Sequence, residues 1–370
     1  MPRPLSDDLR DAIRLRRWAW MALSGRSTDA PAASPLAWQL FLDREACAAA
    51  LARLPGLLLP EIVRARAAQE TGTILLAQAE LRLAAQLIAK AGLEVLPLKG
   101  TAALLDPAAL PLKDVDLLAP RGNGPAVLAA LAGGGRLPVH RPTYLHATVA
   151  SPDGVPIEVH GTIWSEARCT ADDLWRRGTP HPSIAGLRLL APADHLWLLL
   201  VHVTLVHPTR SGRLRDRLLI RAAATPQALS EVRDRIARNR AAAPLNRELE
   251  SVLGDEPGRR AFDRTAGHWY YFDARLARTR LPQSIRLPCA GWATTWIVPS
   301  ALRRPAWRAL IRIDGESALP FVGLLERRLP WLGRTIHLAV RLTWSIPFAL
   351  AGAILAARAR RATTAALDWL

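Results

Sequence analysis

The sequence predicts an α+β fold in which a small unit of strands and helices lies between two helical regions. Residues 1 to about 91 carry helical patterns, residues about 93 to 165 carry the alternating pattern of strands, and helical patterns return after Pro180. With 370 residues, 50% of them hydrophobic, the chain is long enough for two or three domains. We therefore predict a helical region at 1–91, an α+β core with its following helices at 92–225, and an arginine-rich, mainly helical region at 226–370.

Three helices are predicted in the first region. The run RLRRWAWMALSGR follows acidic residues and ends early at Arg26, so it indicates an amphipathic helix capped by Ser6 rather than an export signal. Residues 34–54 indicate one further helix. A long helix then begins at Pro60 and ends at Gly92, because proline favours a first turn and glycine a helix end.

The strand signals lie between residues 93 and 163. LEVLPLKG predicts a strand that ends in a glycine turn and is followed by a short helix from Thr101; LKDVDLLA predicts a second strand, and GPAVLAALAGGG a helix. TYLHATVAS and VPIEVHGTI predict two more strands, joined by the hairpin signal Pro152-Asp153-Gly154. After Pro180, PADHLWLLLVHVTLVH and RLRDRLLIRAAA predict two apolar-rich helices.

The bulk charge indicates polyanionic neighbours. A net charge of +17 and a pI near 11.3 favour nucleotides, nucleic acid or an anionic membrane face, although a general arginine bias would explain them equally well. Cys47, Cys169 and Cys289 have neither zinc nor disulfide spacing, which suits a reducing, cytoplasmic location.

The longest uncharged stretch runs from Leu342 to Ala357. It contains Pro347 and is shorter than the roughly 20 residues that a membrane span needs. A buried helix is the first interpretation, a helix at the inner membrane face the second, and a true span the third.

Two carboxylates in the second strand suggest chemistry. Asp114 and Asp116 are two residues apart, so both project from one face while Val115 and Leu117 face the core. Carboxylates this close repel, and one becomes protonated unless a cation lies between them. Magnesium is the usual cation where paired carboxylates also meet a phosphate.

A third carboxylate comes from the predicted hairpin, where Glu158 and His160 share a face. If this strand lies beside the Asp-Val-Asp strand, Glu158 joins the cluster, and three carboxylates suit a two-metal phosphoryl-transfer site. Upstream, the Lys99-Gly100-Thr101 turn offers a lysine, a hydroxyl and backbone amides to a phosphate. Each piece alone is also explained by a solvated edge strand or an ordinary turn; the ordered set is far more specific.

The ordered set resembles the uncharacterised nucleotidyltransferase family of bacteria, within the DNA polymerase β-type superfamily. The resemblance covers roughly residues 70 to 222 and includes the later apolar helices. The matching residues are Lys99, Gly100, Asp114, Asp116, Glu158 and His160, with Asp194, His202, His207 and Asp216 in the later helices. The resemblance implies a minimal nucleotidyltransferase domain with a short mixed β-sheet, flanked by helices from both sides.

The resemblance also implies a reaction in which a nucleoside monophosphate moves from ATP or another nucleoside triphosphate to an acceptor hydroxyl, with release of pyrophosphate. Asp114 and Asp116 would hold two Mg²⁺ ions, and Glu158 would complete the ion nearer the acceptor. Lys99, Gly100 and Thr101 would hold the triphosphate. The acceptor is open: a protein, a small molecule or a nucleic-acid end.

Two departures from the family pattern bear on triphosphate binding. The family's arginine before the first aspartate is absent, with Leu110 near its place, and Gly100-Thr101 stands where the wider superfamily has Gly-Ser. Lys113 replaces a small polar residue; it either supplies the missing cation to the nucleotide or is a solvated strand residue.

Some roles stay open. His160 either binds at the site or makes a structural hydrogen bond, while His202 and His207 are interpreted as core residues, Asp194 as a helix cap, and Asp216 as the partner of an arginine. The competing class of function is a non-catalytic membrane-surface or assembly protein on a degraded nucleotidyltransferase core, with peripheral contact through 342–357. A third class, modification of a nucleic-acid end, draws only on the arginine excess.

Overall fold

A computed structural model describes residues 5–26, 29–139, 146–206, 213–254, 267–275, 350–364 and 366–367. It confirms the α+β prediction: a mixed five-stranded sheet lies between helices that precede and follow it in the chain.

The sheet has the strand order β1-β2-β5-β4-β3. Its strands are β1 (Leu96–Pro97), β2 (Val115–Leu118), β3 (Leu137–Pro138), β4 (His146–Ala150) and β5 (Ile157–His160). β2 and β5 are parallel, whereas the other neighbouring pairs are antiparallel. The Asp-Val-Asp strand and the Glu158 strand are therefore adjacent, which is the condition for Glu158 to join the carboxylate cluster.

The predicted hairpin between β4 and β5 is confirmed, although residues 143–145 of its first strand lie outside the described residues. Its turn packs closely against the rest of the fold. A Cβ on Gly154 would lie 2.0 Å from Ser151 Oγ and 2.6 Å from Glu80 Oε1, so a larger residue there would displace these two side chains. Ser151 also donates a 3.0 Å hydrogen bond to Glu80, and this contact fixes the hairpin to the long helix before the sheet.

The two faces of the sheet are buried by different helices. One face packs on α4 (Glu61–Lys90) and α5 (Gly124–Gly133), with Val115, Leu117 and Ile157 in the shared core. The other face packs toward α7 (Pro192–Val201), with Leu118 in that core. Because side chains alternate along a strand, Asp116 points toward the α7 side. Burial of each such aliphatic side chain contributes about 1.5–3 kcal/mol.

The N-terminal region has α1 (Leu5–Leu23), α2 (Pro35–Glu45) and α3 (Ala48–Ala52) before α4. Two predictions here were wrong. Ser6 lies inside α1 rather than at its cap. The single helix predicted at 34–54 is broken at Ala46, whose left-handed φ of 46° ends α2. α4 begins after Pro60 and ends before Gly92, which has φ 70°, as predicted.

Beyond the sheet the chain is mainly helical. α6 (Ala171–Arg177) precedes a small second sheet, β6 (Thr179–Pro180) with β7 (Arg188–Leu189), which was not predicted. The helix predicted at 192–207 ends as α7 and continues as a π-helix at His202–Val206, and His207 lies outside the described residues. The chain then forms α8 (Leu214–Ala223), as predicted, followed by α9 (Pro226–Ala237) and α10 (Ala242–Leu253).

Of the uncharged stretch, 342–349 lies outside the described residues, and 350–357 belongs to a helix. Across the described ranges, no helix combines the length and apolar character needed to cross a membrane. The domain boundaries at 91/92 and 225/226 stay predictions; α4 shares a core with the sheet that follows it.

Candidate active site on the sheet face toward α7

Asp116 lies at the centre of the candidate site and is 3% exposed. Its Oδ1 atom is 2.5 Å from Lys99 Nζ and accepts a 2.9 Å hydrogen bond from His160 Nε2. Burial alone would raise the pKa of this carboxyl, but Lys99 and then His160 outweigh burial and lower it to about 2. The cation that a buried carboxylate needs is therefore supplied by the chain itself.

His160 is held in turn by two carboxylates. Burial would lower the pKa of its imidazole, but hydrogen bonds to Asp116 and then Glu158 prevail and raise it. Since a carboxylate only accepts hydrogen bonds, Nε2 of His160 carries the proton in this pair. The geometry thus shows a hydrogen bond for His160, one of its two predicted roles.

Glu158 is the direct neighbour of Asp116 across the parallel β2–β5 pair. Its carboxylate is 21% exposed, and lies 3.5 Å from His160 Nε2 and 3.7 Å from His146 Nε2. His146 enters from β4, where it is the register partner of His160. Burial is the largest influence on the pKa of His146 and lowers it, against the opposing effect of Glu158.

Asp114 lies just before β2 and is partly buried. It contributes to the electrostatic environment of Arg215 on α8, whose pKa is raised chiefly by Asp216, with burial opposing and Asp114 adding to the rise. Arg215 donates to Asp216 Oδ1 at 2.8 Å and to the Pro111 carbonyl at 3.3 Å. The predicted pairing of Asp216 with an arginine is confirmed, and it places a cation next to the loop that carries Asp114.

The Lys99-Gly100-Thr101 turn forms a five-residue 3₁₀ helix, Lys99–Ala103, rather than a helix from Thr101. Lys99 has a φ of 50°, uncommon for a residue with a side chain, and its carbonyl accepts a 2.9 Å hydrogen bond from His195 Nε2. The strained backbone turns the lysine side chain toward Asp116 and to 5.2 Å from the Trp164 ring, a cation–π distance.

Gly100 and Thr101 pack inward. A Cβ on Gly100 would lie 2.6 Å from Leu112 Cδ2. Thr101 is 1% exposed, and its hydroxyl accepts a 2.9 Å hydrogen bond from the Asp116 amide. Gly100 and Thr101 thus hold the turn against β2. The predicted contact of these two residues with a phosphate stays a prediction. Lys113 is exposed on the loop before β2.

The helix-cap interpretation of Asp194 was wrong. Ala191 is the N-cap of α7, and Asp194 in the first turn is fully buried. Arg177 and Arg235 neutralise it at 2.8 and 2.7 Å, which makes it a structural ion pair between α6, α7 and α9. His202 is buried beside Trp164, with ring centroids 5.1 Å apart, in agreement with the core interpretation.

Sequence reasoning missed four residues of this region: His146, Trp164, His195 and Arg215. A signal existed for His146, because it and His160 are equidistant along the chain from Asp153 in the hairpin turn, and a hairpin pairs such residues. The contacts of Trp164, His195 and Arg215 span distant segments and have no local signal.

The donor atoms can be compared with the predicted Mg²⁺ ions. The carboxylates of Asp116 and Glu158 share a face and are oxygen donors of the kind that Mg²⁺ prefers. Within the described ranges, the cluster of at least three potential ligands with all ligand atoms within 4.8 Å of one another is His146, Glu158 and His160. The site thus fits a divalent cation, but its closest cluster contains two imidazoles.

Comparison with known proteins supports the family assignment. A family model described as "uncharacterised nucleotidyltransferase" matches residues 45–245, more than half of the chain. The protein belongs to this family. The nucleotidyltransferase part of the resemblance is confirmed, while the DNA polymerase β-type superfamily and a bacterial origin stay predictions.

Other comparisons add little. No curated protein matches the chain. One solved structure, "The complex structure of CCA-adding enzyme with CTP", is 15% identical, with 81% of this chain and 84% of that chain covered at a TM-score of 0.26.

Proposed function

We propose that this nucleotidyltransferase-family protein moves a nucleoside monophosphate from a nucleoside triphosphate to an acceptor hydroxyl and releases pyrophosphate. The observation that carries the proposal is the register of β2 and β5, which makes Asp116 and Glu158 neighbours on one face, with Lys99 beside them. This face lies within the matched residues 45–245.

Cationic residues near this face are suited to a triphosphate. The Lys99 ammonium, 13% exposed, lies 2.5 Å from the Asp116 carboxylate. Lys113 is exposed on the loop before β2, and the mostly buried Arg215 contacts this loop at the Pro111 carbonyl. We propose that Lys99 and Lys113 contact the phosphates, and that Gly100 and Thr101 position Lys99. Arg215 then supplies a cation that the region before Asp114 lacks.

Asp114, Asp116 and Glu158 would hold two divalent metal ions, which the sequence resemblance implies to be Mg²⁺. When bound, such ions neutralise phosphate charge and orient the reacting oxygens. Asp114 and Asp116 would serve the nucleotide, and Glu158 the acceptor. His160, held by Asp116 and Glu158 together, keeps the two carboxylates in position.

The chemical step follows from these positions. The acceptor oxygen forms a bond to the α-phosphorus while the bond to the bridging oxygen breaks, and that electron pair leaves with pyrophosphate. Glu158 orients the acceptor hydroxyl and accepts its proton. Positioning and charge neutralisation supply most of the acceleration, as is general for phosphoryl-type transfers.

The experiment compares triphosphates labelled in the α- and γ-phosphates, incubated with the protein and a lysate of its own cells. We expect α-label on an acceptor and γ-label in pyrophosphate. Asp116→Asn should abolish labelling, whereas Asp172→Asn, at an exposed surface carboxylate, should not. Transfer of γ-label, or no label from any triphosphate, would contradict the proposal.

A second candidate, contact with an anionic membrane on the cytoplasmic side, is favoured by the helix at 350–364. Leu350 and Ile354 are 63% and 56% exposed and one turn apart, and Arg358 and Arg361 follow them on the exposed surface. Cys47 and Cys169 are free thiols, which suits a reducing compartment. Ile354→Ser should reduce sedimentation with anionic vesicles and leave label transfer unchanged; equal sedimentation would contradict this contact.

A further inference from the structure

We infer that His146, Glu158 and His160 form a binding site for a divalent transition ion such as Mn²⁺ or Zn²⁺, in preference to Mg²⁺. The inference names the cation at the acceptor side of the proposed site and in that sense rests on the proposed function. Its test measures metal binding without any nucleotide, so that the two can fail separately.

Two of the three distances between ligand atoms are close to those of a metal centre. Glu158 Oε1 lies 3.7 Å from His146 Nε2, and Glu158 Oε2 lies 3.5 Å from His160 Nε2. Tetrahedral ligands at the usual zinc–nitrogen and zinc–oxygen bond lengths are about 3.3 Å apart. All three ligand atoms lie within 4.8 Å of one another, so the side chains can share one ion if they move closer together.

Strand register fixes this arrangement. His146 and His160 are Cα partners across β4 and β5, and Glu158 lies two residues before His160 on the same strand face. Their imidazole centroids are 5.1 Å apart. Donors fixed on rigid strands bind a metal with little loss of conformational freedom.

The donor chemistry selects the ion. Imidazole nitrogen suits zinc and other transition metals, whereas Mg²⁺ prefers oxygen donors and retains several waters. Two histidines and one carboxylate also leave at least one position for water or a phosphate oxygen. The side chains of His146 and Glu158 are 25% and 21% exposed, so that position is accessible from solvent.

Metal binding leaves the buried carboxylate compensated. His160 must release the Nε2 proton that it donates to Asp116, and this proton leaves to solvent as the nitrogen binds the ion. Lys99 Nζ stays 2.5 Å from Asp116 Oδ1 and remains its partner. Lys99 and protonated His160 are thus both cationic partners of Asp116, and Lys99 remains when His160 binds the metal ion.

The test is calorimetric titration of the chelator-treated full chain with MnCl₂, ZnCl₂ and MgCl₂. We expect one Mn²⁺ or Zn²⁺ per chain, bound at least about 10-fold more tightly than Mg²⁺. Mn²⁺ is included because the Cys169 thiol attracts Zn²⁺ far more than Mn²⁺. His146→Ala and Glu158→Gln should each weaken Mn²⁺ binding at least about 10-fold.

His181→Ala is the matched control, because His181 lies on the turn of the small second sheet, where its Nδ1 accepts from the Ser183 and Ile184 amides. It should bind Mn²⁺ like the wild type. Thermal melts without metal show whether each variant folds. If either His146→Ala or Glu158→Gln fails to fold, Mn²⁺ binding by the other variant tests the inference. Unchanged Mn²⁺ affinity in a folded ligand variant, or equal Mg²⁺ and Mn²⁺ affinity in the wild type, overturns the inference. Mn²⁺ binding without transfer of label leaves the site intact and overturns the proposed function instead.

Discussion

Replacement of Lys99 by methionine should destabilise the protein through Asp116. Methionine keeps most of the apolar stem of the lysine but leaves the buried carboxylate with His160 alone. The carboxyl has a pKa of about 2 instead of 3.8, which corresponds to about 2 kcal/mol of stabilisation of its charged form. Because burial opposes this shift, Lys99→Met should lower the free energy of unfolding by about 2–4 kcal/mol at pH 7. This loss is no larger than the one expected when a buried charge is left with no partner, because His160 still contacts Asp116.

The assay is urea unfolding followed by circular dichroism, with a chelator present so that no cation replaces Lys99. Lys90→Met is the control, since Lys90 is exposed in the last turn of α4 and its loss should cost under about 0.5 kcal/mol. The double variant with Asp116→Asn should be more stable than the sum of the single effects predicts, by about 2 kcal/mol.

Two results would refute this reasoning. Lys99→Met with the stability of Lys90→Met would show that the ion pair contributes nothing. Strict additivity in the double variant would show that Lys99 acts through other contacts, such as its stacking on Trp164.

Three further predictions concern single positions. Gly100→Ala should cost about 1–3 kcal/mol in urea unfolding, because its Cβ meets Leu112 at 2.6 Å; a neutral effect would contradict the close packing. Glu158→Gln should slow single-turnover label transfer on the order of 10²-fold or more while calorimetry shows unchanged triphosphate affinity; an unchanged rate would remove Glu158 from the site. Burial raises the pKa of Glu70 above 4.5, so the protonated carboxyl stabilises the fold below that pH and this stabilisation is lost as the pH rises. The stability of Glu70→Gln should therefore increase relative to that of the wild type between about pH 4 and 7. A difference in stability that does not change with pH would disprove this.

The elements that could be predicted have strong local signals. Pro60 and Gly92 delimit α4, and the Pro-Asp-Gly turn specifies the β4–β5 hairpin. The elements that were missed lack such signals. Ala46 adopts a left-handed conformation without being glycine, and β6 and β7 are two-residue strands whose pairing depends on their surroundings.

The same division applies to the candidate site. The alternation of Asp116, Glu158 and His160 along their strands indicated the face that they share. The role of Lys99 differed from expectation, since the sequence suggested a phosphate ligand and the structure adds a buried ion pair. The Lys99–Asp116 pair joins segments separated along the chain and depends on a left-handed backbone at Lys99. No sequence pattern predicts that backbone conformation.

Asp116 and Glu158, which are register partners, have different environments, and the difference indicates their separate roles. Asp116 is 3% exposed, compensated by two cations and kept charged by a pKa of about 2, so it is a fixed anion around which Lys99 and His160 are ordered. Glu158 is more exposed, and its contacts with the His160 and His146 imidazoles are long, at 3.5 and 3.7 Å. The Glu158 carboxylate is held in position by its strand but makes no short ion pair within the described part of the chain, so it can bind a new ligand. The acceptor and its metal ion should therefore bind beside Glu158, while Asp116 serves the nucleotide side of the site.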